Sequence, residues 1–237
     1  MIGESKPTAL RRFTMLEGRF ASKPELKTNY DSFMEEYLSL GHMRLVQGNE
    51  PSDVPAYYLP HHPIIKEAST TTKTRVVFDG SSKTTSGFSL NDALCVGPVI
   101  QDDLLTLVIR FRKFIVAVIA DIAKMYRQVL IHPDDALLQR IIWRFSSSYH
   151  LSIYELLTFT YGLAPSSFLA TRTLQQLAND EGHSYPLGKI ALQKSFYVDD
   201  FIGGADSVPE AIQLRNELTE LLAKGGFSIR KWTSNKL

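Results

Sequence analysis

The stretch SFYVDDFIGG, residues 195–204, decides the fold because it sets two adjacent aspartates between two short apolar segments. Ser195–Val198 and Phe201–Gly203 have the length and composition of short strands, so the pattern predicts a hairpin with Asp199 and Asp200 at its tip. Two like charges in a tight turn repel each other, and a bound cation would resolve that repulsion. An isolated Asp-Asp pair is more often a solvated turn, so the rest of the chain must decide.

A third aspartate lies at the end of a buried strand nearer the N-terminus. Phe114–Ala120 is a continuous apolar run rich in β-branched residues, which predicts a buried strand, and Asp121 comes directly after it. A carboxylate in that position is costly unless a helix terminus, an arginine or a metal ion satisfies it. If Asp121 and Asp199 lie on neighbouring strands, their oxygens suit Mg²⁺, and two such ions can drive phosphoryl transfer.

The order of the predicted elements after residue 113 indicates an α+β fold. The predicted strands lie at 114–120, 140–145, 152–160, 195–198, 201–203 and 227–229. Helical spacing predicts one helix at 166–178 and another from a capping box at Ser207–Glu210 to Gly225. This order fits a split βαβ sheet with helices on one face.

The residues before 113 predict an exposed lead-in, two helices and a hairpin. Residues 1–27 are polar and basic, which indicates an exposed segment. The expected helices and strands lie at 29–40, 63–65, 75–78 and 102–111. The inner face of the last of these helices would carry Leu104, Leu105, Val108 and Ile109. The pair His61-His62 lacks the spaced partners of a zinc site and predicts a surface loop.

Composition restricts the class of protein without choosing a function. With 44% hydrophobic and 22% charged residues, the 237-residue chain resembles an ordinary globular protein, and its net charge of +1 neither supports nor excludes nucleic acid as a partner. The single Cys95 excludes an internal disulfide, fits a reducing compartment and is expected in the core. The N-terminus has no apolar core of signal-peptide length and no apolar run approaches membrane-spanning length, so we expect an intracellular, cytoplasmic protein with no membrane partner.

Further motifs occur throughout residues 57–232. In chain order they are YYLPHHPIIKEASTTTKTRVVFDGSS (57–82), SLNDALCVGP (89–98), ADIAKMYRQVLIHP (120–133), TFTYGLAPSSFLATRTLQQLA (158–178), YVDDFIGG (197–204) and GGFSIRKW (225–232). Together, and in this order, they resemble the reverse transcriptase domain of Pao/BEL-type long-terminal-repeat retrotransposon polyproteins. No single segment is specific, but the combination is.

The resemblance implies the fingers and palm of a right-hand polymerase, with a ferredoxin-like palm and no thumb in this chain. Residues 1–55 would be a polar, helical lead-in, and residues 56–237 the reverse transcriptase domain. The implied fingers lie at about 56–112 and 133–155, and the implied palm at about 113–132 and 156–237. The rest of the polyprotein, with its thumb and ribonuclease H, is an expected partner.

The resemblance assigns the catalytic and metal-binding roles to the three aspartates. Asp121, Asp199 and Asp200 match the residues that hold two Mg²⁺ ions in the family, with Mn²⁺ as an alternative. Tyr126 matches the aromatic steric gate, which lies under the incoming sugar and rejects a 2′-hydroxyl. A plain core aromatic is the alternative for Tyr126.

Other matches concern the incoming nucleotide. Arg75 matches the fingers arginine over the triphosphate, where its planar donor fork suits phosphate. Lys66 and Lys73 are both candidates for the companion lysine, and whichever is not would be a surface lysine. Tyr161 and Gly162 match the turn that shapes the nucleotide pocket, where glycine lets the backbone approach the substrate.

Four residues near the catalytic hairpin complete the implied site. Lys231 matches the lysine that acts as general acid on pyrophosphate, although it could equally be a surface cation. Tyr197, Phe227 and Trp232 are expected to contact primer or template. A structural aromatic role is the alternative for Phe227 and Trp232.

The resemblance therefore implies an RNA-directed DNA polymerase, a nucleotidyltransferase that adds dNTPs to a primer 3′-hydroxyl on an RNA or DNA template. The alternative is a truncated, non-catalytic retroelement remnant that binds nucleic acid. A palm-type cyclase is a weaker alternative, because cyclases have no use for the template-covering segment at 57–91.

Overall fold

The structure is a computed structural model that describes residues 2–47, 56–65 and 74–236. Within these residues the α-helices are α1 (Lys6–Ser22), α2 (Pro24–Ser39), α3 (Leu90–Ala93), α4 (Leu104–Phe111), α5 (Ser166–Asp180), α6 (Pro186–Lys194) and α7 (Val208–Lys224). Short 3₁₀ helices occur at Met125–Gln128, Pro133–Gln139 and Gly182–Ser184. Every helix in the described residues is too short or too polar to cross a lipid bilayer.

The strands of the described residues form three antiparallel sheets. They are β1 (Met43–Leu45), β2 (His61–Ile65), β3 (Thr74–Phe78), β4 (Val116–Ile122), β5 (Arg140–Trp143), β6 (Ser152–Leu156), β7 (Phe196–Tyr197), β8 (Asp200–Ala205) and β9 (Ile229–Ser234). The sheets have the strand orders β1-β6-β5, β2-β3 and β7-β8-β4-β9. The protein is therefore α+β, as predicted.

The chain divides into two compact units, each made of two separate stretches. The first consists of Met1–Val96 and Leu130–Ser166, and the second of Gly97–Val129 and Ser167–Leu237. These bounds differ from the predicted fingers and palm ranges, whose assignment stays a prediction. Helices α1 and α2, which fall within the predicted lead-in, belong to the first unit.

The prediction of an exposed N-terminal segment is wrong. Helix α1 buries Ala9, Phe13, Leu16 and Phe20, and α2 buries Leu26, Tyr30, Met34 and Tyr37. Each set recurs every three or four residues, so one face of each helix enters the core while the basic side chains point to solvent. Basic residues dominate the composition of this segment and mask the helical spacing of its apolar residues.

An aromatic cluster forms the centre of the first unit and includes His61. The Trp143 ring stacks on Tyr30 with 5.2 Å between centroids and meets Phe13 edge-on at 5.7 Å. His61 is buried on β2, its Nε2 lies 3.0 Å from the Ile142 carbonyl oxygen, and its Nδ1 pairs with the Tyr30 hydroxyl. The prediction of a surface loop at His61-His62 is therefore wrong.

The second unit contains the predicted split βαβ sheet. Strand β8 lies between β7 and β4, and all neighbouring strands run antiparallel, so β4 and β7 are parallel. Strand β4 alternates in burial, with Val116, Val118, Ala120 and Ile122 buried. One face of the sheet is therefore covered and the other is more open.

Several local predictions need correction. Helix α4 buries Leu107, whereas the four side chains predicted to face inward are exposed, because an amphipathic pattern alone does not show which face packs. Cys95 is exposed rather than in the core. Ser207 accepts the Glu210 N–H as predicted, but the Glu210 carboxylate accepts from Asp206 N–H instead of completing a capping box.

Candidate active site

Two neighbouring strands bring the predicted aspartates together. Asp121 lies at the end of β4, one residue before its last residue, as predicted, and its Cα partner on β8 is Asp200. Asp199 occupies the two-residue turn between β7 and β8, and its carbonyl oxygen accepts the Ile122 N–H at 2.8 Å. Alternation puts Asp121 and Asp200 on the more open face of the sheet, because their neighbours Ala120 and Phe201 are buried.

The turn that carries Asp199 is held in a strained conformation. Val198 has φ +57°, a region that β-branched residues rarely adopt, at a hairpin position where glycine is usual. Such a residue costs on the order of 1–3 kcal/mol and persists only where its surroundings enforce it. Within the described residues the other non-glycine residues at positive φ are Lys124 and Lys231, and they also lie in the second unit.

Lys231 brings a positive charge to the predicted aspartates. Lys231 Nζ donates to Asp121 Oδ2 at 2.7 Å, and the lysine side chain is 51% exposed. Partial burial of its carboxyl group raises the pKa of Asp200, the Asp121 charge raises it further, and Lys231 opposes both effects. Asp200 is therefore harder to ionise than an isolated aspartate.

The chemistry of these ligands suits a divalent ion, but their side chains do not form a complete ligand set. Carboxylate oxygens are what Mg²⁺ prefers, and the strand register places Asp121 opposite Asp200. Within residues 2–47, 56–65 and 74–236, however, no three Asp, Glu, His or Cys side chains converge closely enough to hold a metal. Lys231, rather than a ligand set, neutralises Asp121.

Tyr126 lies in the second unit with the aspartates. Its ring is 6% exposed, and its hydroxyl lies 2.8 Å from the Ser167 hydroxyl on α5. Burial raises the pKa of Tyr126, the Ser167 hydrogen bond lowers it, and the charge of Asp199 raises it. This influence of Asp199 indicates proximity, but burial also suits a core aromatic, so both interpretations stay open.

The remaining aromatic candidates of the second unit differ in accessibility. Tyr197 is 39% exposed and pairs with Asp200 across the hairpin. Trp232 is half-buried, and its ring meets that of Phe201 edge-on at 5.8 Å. Phe227 is 4% exposed, which favours its structural alternative over a contact with nucleic acid.

The other described candidates for nucleotide binding, Arg75, Tyr161 and Gly162, belong to the first unit. Arg75 is an exposed residue of β3, and Tyr161 is 41% exposed. Gly162 has φ +109°, and a Cβ built there would lie 2.1 Å from the Phe78 carbonyl oxygen, so no other residue fits this turn. Lys66 and Lys73 lie outside the described residues.

Solved structures resemble this chain, although no family model and no curated protein matches its sequence. A foamy viral protease-reverse transcriptase in complex with RNA/DNA hybrid has a TM-score of 0.66 and 14% identity over 88% of this chain. A selenomethionine-labelled mutant of the prototype foamy virus protein has a TM-score of 0.65 and 16% identity over 87%. A complex with dsDNA has a TM-score of 0.62 and 16% identity over 86%.

The chain has a reverse transcriptase fold. The likeness covers only 24%, 24% and 36% of those three solved chains, in the same order. The shared feature is therefore the fold alone.

Sequence reasoning missed two polar residues that brace this reverse transcriptase fold. In the first unit, Asn91 Nδ2 donates to the Gly162 carbonyl oxygen at 2.8 Å, and its Oδ1 accepts from Ala164 N–H at 2.9 Å. In the second unit, the Gln101 side chain contacts the turn at Val198. Asn91 lies in the motif at 89–98, but the motif alone does not indicate its role. No sequence pattern distinguishes Gln101.

Proposed function

We propose that the chain is the polymerase part of a Pao/BEL-type reverse transcriptase, which adds dNTPs to a primer 3′-hydroxyl on an RNA or DNA template. The observation that supports this most is the placement of Asp121 opposite Asp200, with Asp199 in the strained turn beside them. A solvated Asp-Asp turn would not need a third aspartate on the neighbouring strand, so this placement favours a functional site.

In this proposal Asp121, Asp199 and Asp200 hold two Mg²⁺ ions, or Mn²⁺. When bound, the ions lower the pKa of the attacking hydroxyl and neutralise charge on the leaving pyrophosphate. Arg75 binds the triphosphate, and the Tyr161-Gly162 turn lines the nucleotide pocket. The ring of Tyr126 excludes a 2′-hydroxyl.

Lys231 has two successive tasks in the proposed reaction. Its ammonium group first balances the charge of Asp121, to which it is bonded. It then leaves Asp121 and donates a proton to the pyrophosphate oxygen that separates from the nucleotide. Its half-exposed side chain has the freedom that such a movement needs.

Primer extension on an RNA template with Mg²⁺ or Mn²⁺ tests the function. We expect Asp199→Asn to lower incorporation by at least about a hundredfold, because a catalytic carboxylate is lost. Asp206→Asn is the matched control, since this exposed aspartate follows β8 in the same unit, and it should retain wild-type incorporation. Equal incorporation by wild type and Asp199→Asn, or none by wild type, would contradict the proposal.

One observation favours a non-catalytic nucleic-acid-binding remnant as the second candidate. Among the residues that the structure describes, no three side chains form a metal-binding group, and Lys231 engages Asp121. Fluorescence anisotropy with a labelled primer-template, measured across salt concentrations, tests this candidate. Salt-dependent binding without any incorporation would select it over the polymerase.

A further inference from the structure

The loop before α4 reaches the strained turn through one side chain. The half-buried Gln101 accepts the backbone N–H of Val198 through Oε1 at 3.3 Å. The Thr171 hydroxyl on α5 also lies 3.3 Å from Oε1, and shares its one hydrogen with the Ser167 carbonyl oxygen at 2.8 Å. Because the Thr171 hydroxyl lies closer to Ser167, the Val198 N–H is the main donor to Gln101 Oε1.

Helix α5 fixes the loop that carries Gln101. Gln175 Nε2 donates to the Ile100 carbonyl oxygen at 2.6 Å. Gly97 has φ +83° and lies so close to the Phe168 ring that a Cβ there would be 2.3 Å from it. The loop is thus attached at both ends, and Gln101 contacts the turn from a fixed base.

The N–H of Val198 needs such a partner. Val198 is the first residue of the two-residue turn between Tyr197 and Asp200. The N–H at that position points out of the hairpin and takes no part in the hydrogen bonds that close it. Val198 is half-buried, and a buried N–H without an acceptor is costly. A bond to this N–H fixes the peptide plane before Val198 and so restricts its φ angle.

We propose that Gln101 is a positioning residue for the catalytic turn. By accepting the Val198 N–H, Gln101 holds Val198 in its left-handed conformation and so sets the direction in which Asp199 leaves the turn. The same face of α5 carries Ser167, which bonds Tyr126, so one helix holds both Gln101 and Tyr126. The catalytic consequence rests on the proposed polymerase function, whereas the contact itself does not.

Amide hydrogen exchange, measured by NMR on the full chain, tests the contact without any need for activity. Gln101→Met keeps the length of the side chain but removes the acceptor, so the Val198 amide should exchange about tenfold faster or more. Gln101→Glu keeps an acceptor oxygen and should preserve protection. The matched control Gln193→Met, at a glutamine that bonds Asn179, should leave the Val198 amide unchanged.

The amide of Ala211 on α7, which bonds Ser207 O at 3.0 Å, reports whether each variant remains folded. Unchanged exchange at Val198 in Gln101→Met, with Ala211 still protected, would overturn the proposal. If Gln101→Met does not fold, Gln101→Glu decides: retained protection at Val198 supports the contact, and lost protection overturns it.

Single-nucleotide incorporation then tests the positioning role. Gln101→Met should lower kcat by about tenfold with the KM for dNTP changed less than about twofold, since a displaced Asp199 affects chemistry and not nucleotide binding. Faster exchange at Val198 with wild-type kcat would overturn the positioning role. If wild type incorporates nothing, the polymerase function fails, while the exchange result still decides the contact.

Discussion

At the scale of single residues, the contact between Lys231 and Asp121 governs what the site can bind. The ammonium group occupies an oxygen that a divalent ion would need. The pair is partly exposed, so its strength is modest and an ion can displace it.

We expect Lys231→Met to bind Mn²⁺ about fivefold more tightly than wild type, because the competing cation is gone. Electron paramagnetic resonance of free Mn²⁺ measures this affinity directly. Lys224→Met, at the exposed end of α7, is the matched control and should bind Mn²⁺ as wild type does. An unchanged affinity in Lys231→Met would mean that Lys231 does not compete for Asp121.

The buried His61 predicts a pH dependence of stability. Burial lowers its pKa from 6.5 to about 4, the Ile142 hydrogen bond opposes this, and His62 adds to it. Between these values the unfolded chain binds more protons than the folded chain, so the free energy of unfolding falls as the pH falls. From about pH 7 to pH 5 the loss should be about 2 kcal/mol.

Urea denaturation followed by circular dichroism measures this loss. Because His61→Gln removes the titrating group, its loss between the two pH values should be smaller than that of wild type by about 2 kcal/mol. His150→Gln, at an exposed histidine of the same unit, should keep the full dependence. Parallel pH profiles for wild type and His61→Gln would refute the assignment.

At the scale of elements, helix α1 contributes to the core of the first unit. Phe13 is 3% exposed and contacts Trp143 and His61, with 5.7 Å and 5.9 Å between ring centroids. Removing such a ring leaves a cavity that the surrounding aromatic side chains fill poorly.

Phe13→Ala should therefore lower the free energy of unfolding by about 3–5 kcal/mol in urea denaturation. Met15→Ala, two residues along the same helix, should change it by less than about 0.5 kcal/mol, because Met15 is 64% exposed. A loss below about 1 kcal/mol in Phe13→Ala would contradict the role of α1 in the core.

The elements also show what the sequence could predict. The hairpin around Asp199 was predictable because apolar segments flank charged residues, although its turn is Val198-Asp199 and Asp200 already belongs to β8. Helix α7 was predictable because Ser207 marks its start. The left-handed Val198 was not, since local preference opposes that conformation and only tertiary contacts enforce it. The contact of Gln101 with Val198 joins residues far apart in sequence, and no local pattern encodes it.

At the scale of the whole molecule, the second unit is assembled from two stretches of chain. Asp121 lies in the first stretch, and Asp199 and Asp200 lie in the second, with Leu130–Ser166 of the first unit between them in sequence. The sequence could list the three aspartates but not their register, because pairing between distant strands depends on the completed sheet.

Because residues of β4 and β8 alternate between the covered and the open face of the sheet, these strands tolerate substitutions better than insertions or deletions. Losing or gaining a single codon within β4 would turn Asp121 toward the covered side and send apolar residues into solvent. Substitutions leave unchanged which face of the sheet each position occupies. A chain can therefore keep this fold while most of its side chains differ, as its 14–16% identity to the solved structures illustrates, provided that the number of residues within these strands does not change.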